Sequence, residues 1–277
     1  MAYKLLAVDI DGTLLDSEGK LRSETEEAIK QGLKRGMIFA ISTGRPVQGV
    51  QAFIDRFGVD LPVIAYNGAM VVLGKSRKIL YKCSMNTEDA VEIINLGNKY
   101  GTCVFAWADD RLFANNLGER AYEYSKISGV PPVILESAES VAALGVMKVL
   151  WYDTVEAIGE YKKKLDEYFR LDAHRAIGDN VNYHTSQPYF LEFVDKRASK
   201  AKALEKLGEH FGIDRSEIIA VGDGFNDLSM IEYAGLGVAM GNAHAAIKEK
   251  ADYITLSNDE NGVAHVIHKF ILANDND

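Results

Sequence analysis

The sequence predicts an α/β protein: a doubly wound parallel sheet built from both ends of the chain, with a smaller α+β unit inserted between them. Three observations carry this. Short apolar runs alternate with helical spacing in the first eighty residues. The same rhythm resumes near residue 198. Between them the pattern changes to hairpin-like strands and longer helices.

The first strand is read at Leu5–Asp9, an apolar run ending in an acidic turn. Ser23 stands before Glu26, Ala28, Ile29 and Leu33, with Gly36 beyond, the pattern of a capped amphipathic helix. Met37–Ser42 is the next buried strand, Val47–Phe57 returns to helical spacing, and Pro62–Ala65 is a third strand ending at Asn67 and Gly68. Strand and helix in alternation imply a parallel sheet covered on both faces. In the middle stretch, Cys103–Trp107 and Arg111–Ala114 read as strands joined at Asp109 and Asp110, Leu117–Ile127 as helix, Val146–Tyr152 as strand and Glu156–Phe169 as helix. His174–Ile177 and Tyr189–Val194 read as further strands. The final part alternates again: helix Ala198–Phe211, strand Glu217–Val221, helix Asn226–Ala234, strand Leu236–Met240, helix Ala243–Lys250, strand Tyr253–Thr255 and a closing helix near Gly262–Leu272. The expected domains are therefore a core of residues 1–83 and 189–277 and an insert of residues 84–188.

Composition narrows the function classes. The chain has 277 residues, 47% hydrophobic and 26% charged, with a formal net charge of -9. That is ordinary globular composition, with enough apolar material for a sizeable core. A broad basic surface for nucleic acid or acidic membrane is not expected. Cys83 and Cys103 have neither disulfide nor metal spacing and read as buried thiols. The opening MAYKLLAVDIDGTLLD turns acidic too soon for a signal peptide. No window reaches the roughly 20 apolar residues of a spanning helix, so a soluble, cytoplasmic protein with no obligate protein partner is expected.

Ligands of open α/β sheets gather beyond the carboxyl ends of the strands. Those ends carry Asp9 with Asp11 and Thr13, Thr43 with Gly44 and Arg45, Asn67 with Gly68, and Asp223 with Asn226 and Asp227. Any one such Asp can simply cap the next turn, but all of them together suggest a shared centre. Gly12 permits the reversal that turns Asp9 and Asp11 inward, and Gly224 permits close approach around Asp223 and Asp227. Several carboxylates at one point repel unless cations fill the space. Oxygen ligands without Cys or His suit Mg²⁺ rather than Zn²⁺, and Mg²⁺ on carboxylates commonly serves phosphate chemistry. Thr43, Arg45 and Lys200 are suited to hold phosphoryl oxygens. Gly235–Gly241 has one residue too many for a dinucleotide fingerprint and no acidic partner after it.

The run Asp9-Ile10-Asp11-Gly12-Thr13-Leu14 resembles the opening motif of the haloacid dehalogenase-like superfamily, and the rest is similar to its Cof-type phosphatase branch with a large inserted α/β cap. STGR around Thr43, RASKAKAL around Lys200 and GDGFNDLSM around Asp223 resemble the second, third and fourth motifs, in order. YNGA at 66–69 and VAMGNA at 238–243 also look typical of that branch. The resemblance implies a Rossmann-like core and Mg²⁺-dependent hydrolysis of a small phosphorylated metabolite, sugar phosphates being the leading guess. It implies Asp9 as nucleophile forming an aspartyl-phosphate, Asp11 as acid and base, Thr43 as the orienting hydroxyl and Lys200 as the charge-balancing lysine. Metal ligands would be Asp9, the backbone carbonyl of Asp11 and Asp223, with Asp227 on the metal through water or positioning Lys200. Gly44, Arg45, Asn67 and Asn226 would bind the phosphate side of the substrate, and His184, in the insert, the organic side. Phe225 departs from the small or charged residue that many relatives carry. A phosphomutase using the same phosphoenzyme, or a silent phosphometabolite-binding protein, would share this constellation.

Overall fold

The computed structural model describes residues 3–273. They form two compact units, one holding the chain up to Tyr81 and from Ser199 onward, the other Lys82–Ala198. Strands run in chain order: β1 Leu5–Asp9, β2 Ile38–Ser42, β3 Pro62–Ala65, β4 Met70–Leu73 and β5 Ile79–Lys82 first. Then come β6 Cys103–Ala108, β7 Arg111–Ala114, β8 Val133–Ile134, β9 Val146–Tyr152, β10 Val181–Gln187 and β11 Phe190–Asp195. Last are β12 Ile218–Gly222, β13 Leu236–Ala239 and β14 Tyr253–Ile254.

The first unit is an eight-stranded sheet in the order β14-β13-β12-β1-β2-β3-β4-β5. From β14 to β3 every pair is parallel, and β1 lies between β12 and β2 with Leu5 opposite both Ile218 and Ile38. All five residues of β1 are buried, as a parallel strand covered on both faces requires. The helix Lys200–Phe211 lays Ala203, Leu204 and Leu207 over Leu5, Ala7, Ile64 and Ile218. Ser199 caps it by accepting from the Lys202 amide at 3.1 Å, and Gly212, at φ 64°, ends it.

Beyond β3 the chain reverses through Tyr66, Asn67 and Gly68, all at positive φ, into antiparallel β4. A side chain at Gly68 would put its Cβ 2.1 Å from the Ser199 carbonyl oxygen, so this turn and the start of the Lys200 helix need a glycine between them. Strands β4 and β5 are not apparent in the sequence because they follow a turn at a site loop and are too short for a clear period. The expected capping box at Ser23 is not formed. Glu26 instead takes Lys30 at 2.7 Å and Arg56, whose hydrogen bonds hold its carboxyl down at about 2.

The second unit is a six-stranded sheet in the order β10-β11-β9-β6-β7-β8. Its pairs are antiparallel except β7 with β8. Helices Thr87–Tyr100 and Val155–Tyr168 pack on one face, burying Ile93, Ile94, Ile158 and Leu165 against Ala106, Val149, Trp151 and Phe193. Two expectations are corrected here. His174–Ile177 is not a strand: Arg175–Asn180 is helical and His174 stacks on Tyr168 at 3.8 Å. The strand of that region is β10, a polar edge strand whose residues alternate too weakly to announce it. The apolar run Phe190–Asp195, assigned above to the core, pairs with β9 and β10, so the second crossing falls after Ala198 rather than at residue 188. A buried strand reads the same in either sheet. Cys83 and Cys103 are buried and form no disulfide, and burial pushes the Cys103 thiol up to about 11. No helix among the described residues is long and apolar enough to cross a membrane.

Trp151 is fully buried among the helices of the second unit. Trp151→Ala should cost about 3–5 kcal/mol, read as a lower urea midpoint by far-ultraviolet circular dichroism. An unchanged midpoint would mean that this layer contributes little.

Candidate active site

Strands β12, β1, β2 and β3 are adjacent, so the loops after Gly222, Asp9, Ser42 and Ala65 meet at one edge of the first unit. The turn after β1 is tight. Gly12 lies at φ 82°, and a Cβ there would fall 2.4 Å from Asp223 Oδ2, so only glycine lets the two loops approach. Thr13 Oγ1 donates to Asp223 Oδ1 at 3.0 Å. Asn242 Nδ2 donates to the Gly12 carbonyl at 2.8 Å and its Oδ1 accepts from the Asn258 amide at 3.0 Å, tying the turn to the loops beyond β13 and β14. Thr13 and Asn242 were in motifs visible in the sequence, but their holding roles depend on contacts between distant segments.

Lys200 is the pivot. Its Nζ, fully buried, donates to Asp9 Oδ1 at 2.7 Å, Asp227 Oδ1 at 2.6 Å and the Ser42 carbonyl at 3.2 Å. Burial alone would push the ammonium toward neutrality, but Asp9 and Asp227 more than offset this and raise its pKa. Asp227 Oδ2 accepts from the amides of Asp223 at 3.1 Å and Gly224 at 2.9 Å. A Cβ on Gly222 would lie 2.4 Å from Asp227 Cβ, so this loop too closes on a glycine.

Carboxylate oxygens of Asp9, Asp223 and Asp227 lie within 4.8 Å of one another. Burial pushes the Asp9 carboxyl up to about 7 against the pull of Lys200, and burial likewise raises Asp223. Three carboxylates around one ammonium leave the centre short of positive charge. An all-oxygen, partly buried cluster of this kind fits a hard divalent cation such as Mg²⁺. Asp227 has both oxygens engaged by Lys200 and backbone amides, whereas Asp9 Oδ2 accepts no hydrogen bond from the described residues. The donor set therefore favours Asp9 and Asp223 toward a cation, with Asp227 holding the lysine and the loop.

Asp11 is outside the cluster. Its exposed carboxylate takes Arg45 in a two-pronged pair, Nε to Oδ2 at 2.9 Å and Nη2 to Oδ1 at 2.5 Å. Thr43 is buried, and its Oγ1 accepts from the Arg45 amide at 3.1 Å. Asn67 Oδ1 accepts from Asn226 Nδ2 at 3.2 Å, and Gly44 leaves room for the Asn67 amide, which a Cβ would meet at 3.0 Å. The first unit thus brings together Asp9, Asp11, Thr43, Gly44, Arg45, Asn67, Lys200, Asp223, Asn226 and Asp227. His184 lies in the other unit, on β10 opposite Glu192. Phe225 is 65% exposed and packs on His244, with ring centroids 5.3 Å apart.

The fold and this constellation define a class. Residues 6–267 match the model of the haloacid dehalogenase-like hydrolases, and the chain belongs to that family. The Bacillus subtilis (strain 168) protein YxeH is 32% identical over 276 residues, 98% of this chain and 99% of its own. The 5-amino-6-(5-phospho-D-ribitylamino)uracil phosphatase YwtE of the same organism is 30% identical over 289 residues, 97% of this chain and 98% of its own. Among solved structures, TM0651 from Thermotoga maritima superposes with a TM-score of 0.85 at 32% identity, covering 99% of this chain and 98% of that one.

A carboxyl whose pKa is higher folded than unfolded binds more protons in the fold, so stability falls as pH rises between the two values. For Asp9 that window runs from 3.8 to about 7. In the presence of chelator the melting temperature should fall across it, and Asp9→Asn should flatten the fall and melt higher than wild type at pH 8. Identical pH profiles for the two proteins would contradict the buried-charge account.

Proposed function

We propose that this chain is a Cof-type, Mg²⁺-dependent phosphoric monoester hydrolase acting on small phosphorylated metabolites, sugar phosphates first, through an aspartyl-phosphate on Asp9. The supporting observation is the buried Lys200 bridging Asp9 and Asp227 beside Asp223, a centre that sets carboxylates and one ammonium next to a place for added positive charge. Mg²⁺ held by Asp9, the Asp11 carbonyl and Asp223 would supply charge that lets a carboxylate approach a phosphate dianion.

The remaining work falls to the chain. Lys200 lowers the repulsion at Asp9. An Asp9 oxygen attacks phosphorus while the bond to the ester oxygen breaks, and Asp11 delivers its proton to that oxygen. Asp11 then takes a proton from water, whose oxygen attacks phosphorus and releases phosphate from Asp9. Arg45 holds both Asp11 oxygens in this structure, so these roles require Arg45 to turn from Asp11 onto the phosphate. Thr43, Gly44, Arg45, Asn67 and Asn226 orient the phosphoryl oxygens. The insert, His184 included, reads the organic part. YwtE is named for a phosphate carried on a ribityl chain, which favours phosphorylated sugars and polyols as the class to test.

Chelation should abolish phosphate release and Mg²⁺ should restore it, whereas full activity without metal would refute the cofactor assignment. Asp9→Asn should lower kcat by several orders of magnitude and Asp11→Asn by roughly 10²–10⁴-fold. Labelled phosphate should be trapped on Asp9; label on any other residue would overturn the nucleophile. Accumulation of a bisphosphorylated sugar instead of free phosphate would mark a mutase.

A further inference from the structure

The turn that follows β1 has little hydrogen bonding of its own. Ile10–Leu14 forms one wide turn, closed by the Leu15 amide donating to the Ile10 carbonyl at 3.0 Å. Inside it Asp11 lies at φ -81°, ψ 114° and Gly12 at φ 82°, ψ -1°, neither of them helical. A segment without a regular ladder takes its shape from the groups around it. Those groups come from the loops after β13 and β14. Asn242 Nδ2 donates to the Gly12 carbonyl at 2.8 Å, Asn258 Nδ2 to the Leu15 carbonyl at 2.9 Å, and the Ser17 amide to Asp259 Oδ1 at 2.9 Å. The first two are joined, because the Asn258 amide donates to Asn242 Oδ1 at 3.0 Å. The loops that supply them are fixed in turn. Lys248 Nζ donates to the Gly241 carbonyl at 2.6 Å, the Gly241 amide to the Leu256 carbonyl at 3.0 Å, and Ser257 with Glu260 forms a capping box.

Asn242 is exposed, so water could satisfy both ends of its amide. Both ends are instead spent on backbone groups of two other segments. One end meets a carbonyl and the other an N–H, which leaves the amide a single orientation. On the other side of Asp11 stands Ile10, fully buried and continuous with β1. The peptide between Asp11 and Gly12 is therefore fixed twice, by the sheet through Ile10 and by Asn242 through Gly12. Its carbonyl is the Asp11 oxygen assigned above to Mg²⁺. Thr13 comes next and donates to Asp223 Oδ1, so a shift of Gly12 would disturb two of the three groups given to the cation.

We propose that Asn242 is a positioning residue for the cation: by holding the Gly12 carbonyl it sets the Asp11–Gly12 peptide in the orientation that Mg²⁺ binding needs. The assignment rests on the Mg²⁺ reading above. Mg²⁺ tolerates little departure from octahedral geometry, so a ligand carried on a loosely specified turn needs a tether from outside the turn.

The experiment titrates Mg²⁺ into the metal-free full-length protein and follows the rise in melting temperature, which gives the dissociation constant without any turnover. Wild type is compared with Asn242→Ala, Asn242→Asp and Arg22→Ala. Both Asn242 variants should bind Mg²⁺ roughly 10–100-fold more weakly, the usual effect of removing a group that orients a metal ligand. The carboxylate of Asn242→Asp would by itself attract a cation, so weaker binding there reports the lost donor to Gly12. Arg22→Ala removes a hydrogen bond to Asn261 Oδ1, 3.0 Å long, from the same loop, and should bind Mg²⁺ as wild type does. An unchanged dissociation constant in either Asn242 variant would overturn the inference, even if that variant melted lower without metal. An equal loss in Arg22→Ala would overturn it as well, since any loosening of the loop would then suffice. A wild-type protein whose melting temperature ignores Mg²⁺ would instead refute the Mg²⁺ reading itself.

Discussion

The ammonium of Lys200 is the constraint on which the first unit depends. A lysine taken wholly out of water survives as a cation only if anions meet it at close range, and here Asp9 and Asp227 do so from two loops separated by most of the chain. The requirement acts in both directions. Without Lys200, Asp9, Asp223 and Asp227 would face one another across a few ångströms with nothing to hold them. Without the glycines at 12, 68 and 222, the loops could not come close enough for the lysine to reach both carboxylates. The helix that carries Lys200 is set by its Ser199 cap and by its apolar face against β1 and β12, so the position of one charged atom is transmitted from the hydrophobic core.

The two sheets solve different problems. The parallel sheet of the first unit is buried on both sides, which leaves polar residues only at its strand ends and concentrates chemistry there. The sheet of the second unit is antiparallel, so alternate residues can differ in kind. Helices Thr87–Tyr100 and Val155–Tyr168 cover an apolar face, while the other mixes aromatic side chains, Tyr124 of the helix Glu119–Ser128 among them, with the Lys148–Glu192 pair. Such a sheet can change one face without disturbing the other.

Much of this was legible in the sequence. Buried parallel strands are apolar throughout and end abruptly in Asp, Thr, Asn or Gly, so β1, β2, β3 and β12 announced both the sheet and the candidate site. The lengths of Pro62–Ala65 and Val146–Tyr152 were likewise plain, each being bounded by turn-forming or polar residues. What escaped was information that resides in pairing. VNYHTSQ carries little apolar alternation because β10 is an edge strand, and it became visible only through its partner β11. FLEFVD had a strand's composition but not its address. The Asp11–Arg45 pair and the Asn242 tether join residues that no local pattern relates. Lys148 and Glu192 are likewise brought together only by the register of β9 and β11.

The split of the first unit between the two chain ends has a consequence during synthesis. Thr13 and Asp223 touch across 210 residues, and β1 has β12 as one of its two neighbours. At roughly 5–20 residues per second on the ribosome, the opening strand waits on the order of 10–40 s for that partner. Meanwhile Lys82–Ala198, contiguous in the chain, emerges with all the strands of its own sheet. The inserted unit can therefore finish while Leu5–Val8, a wholly buried segment, is still short of a neighbour. Asp9 is made long before Asp223 and Asp227, so the carboxylate cluster waits on the far segment of its unit.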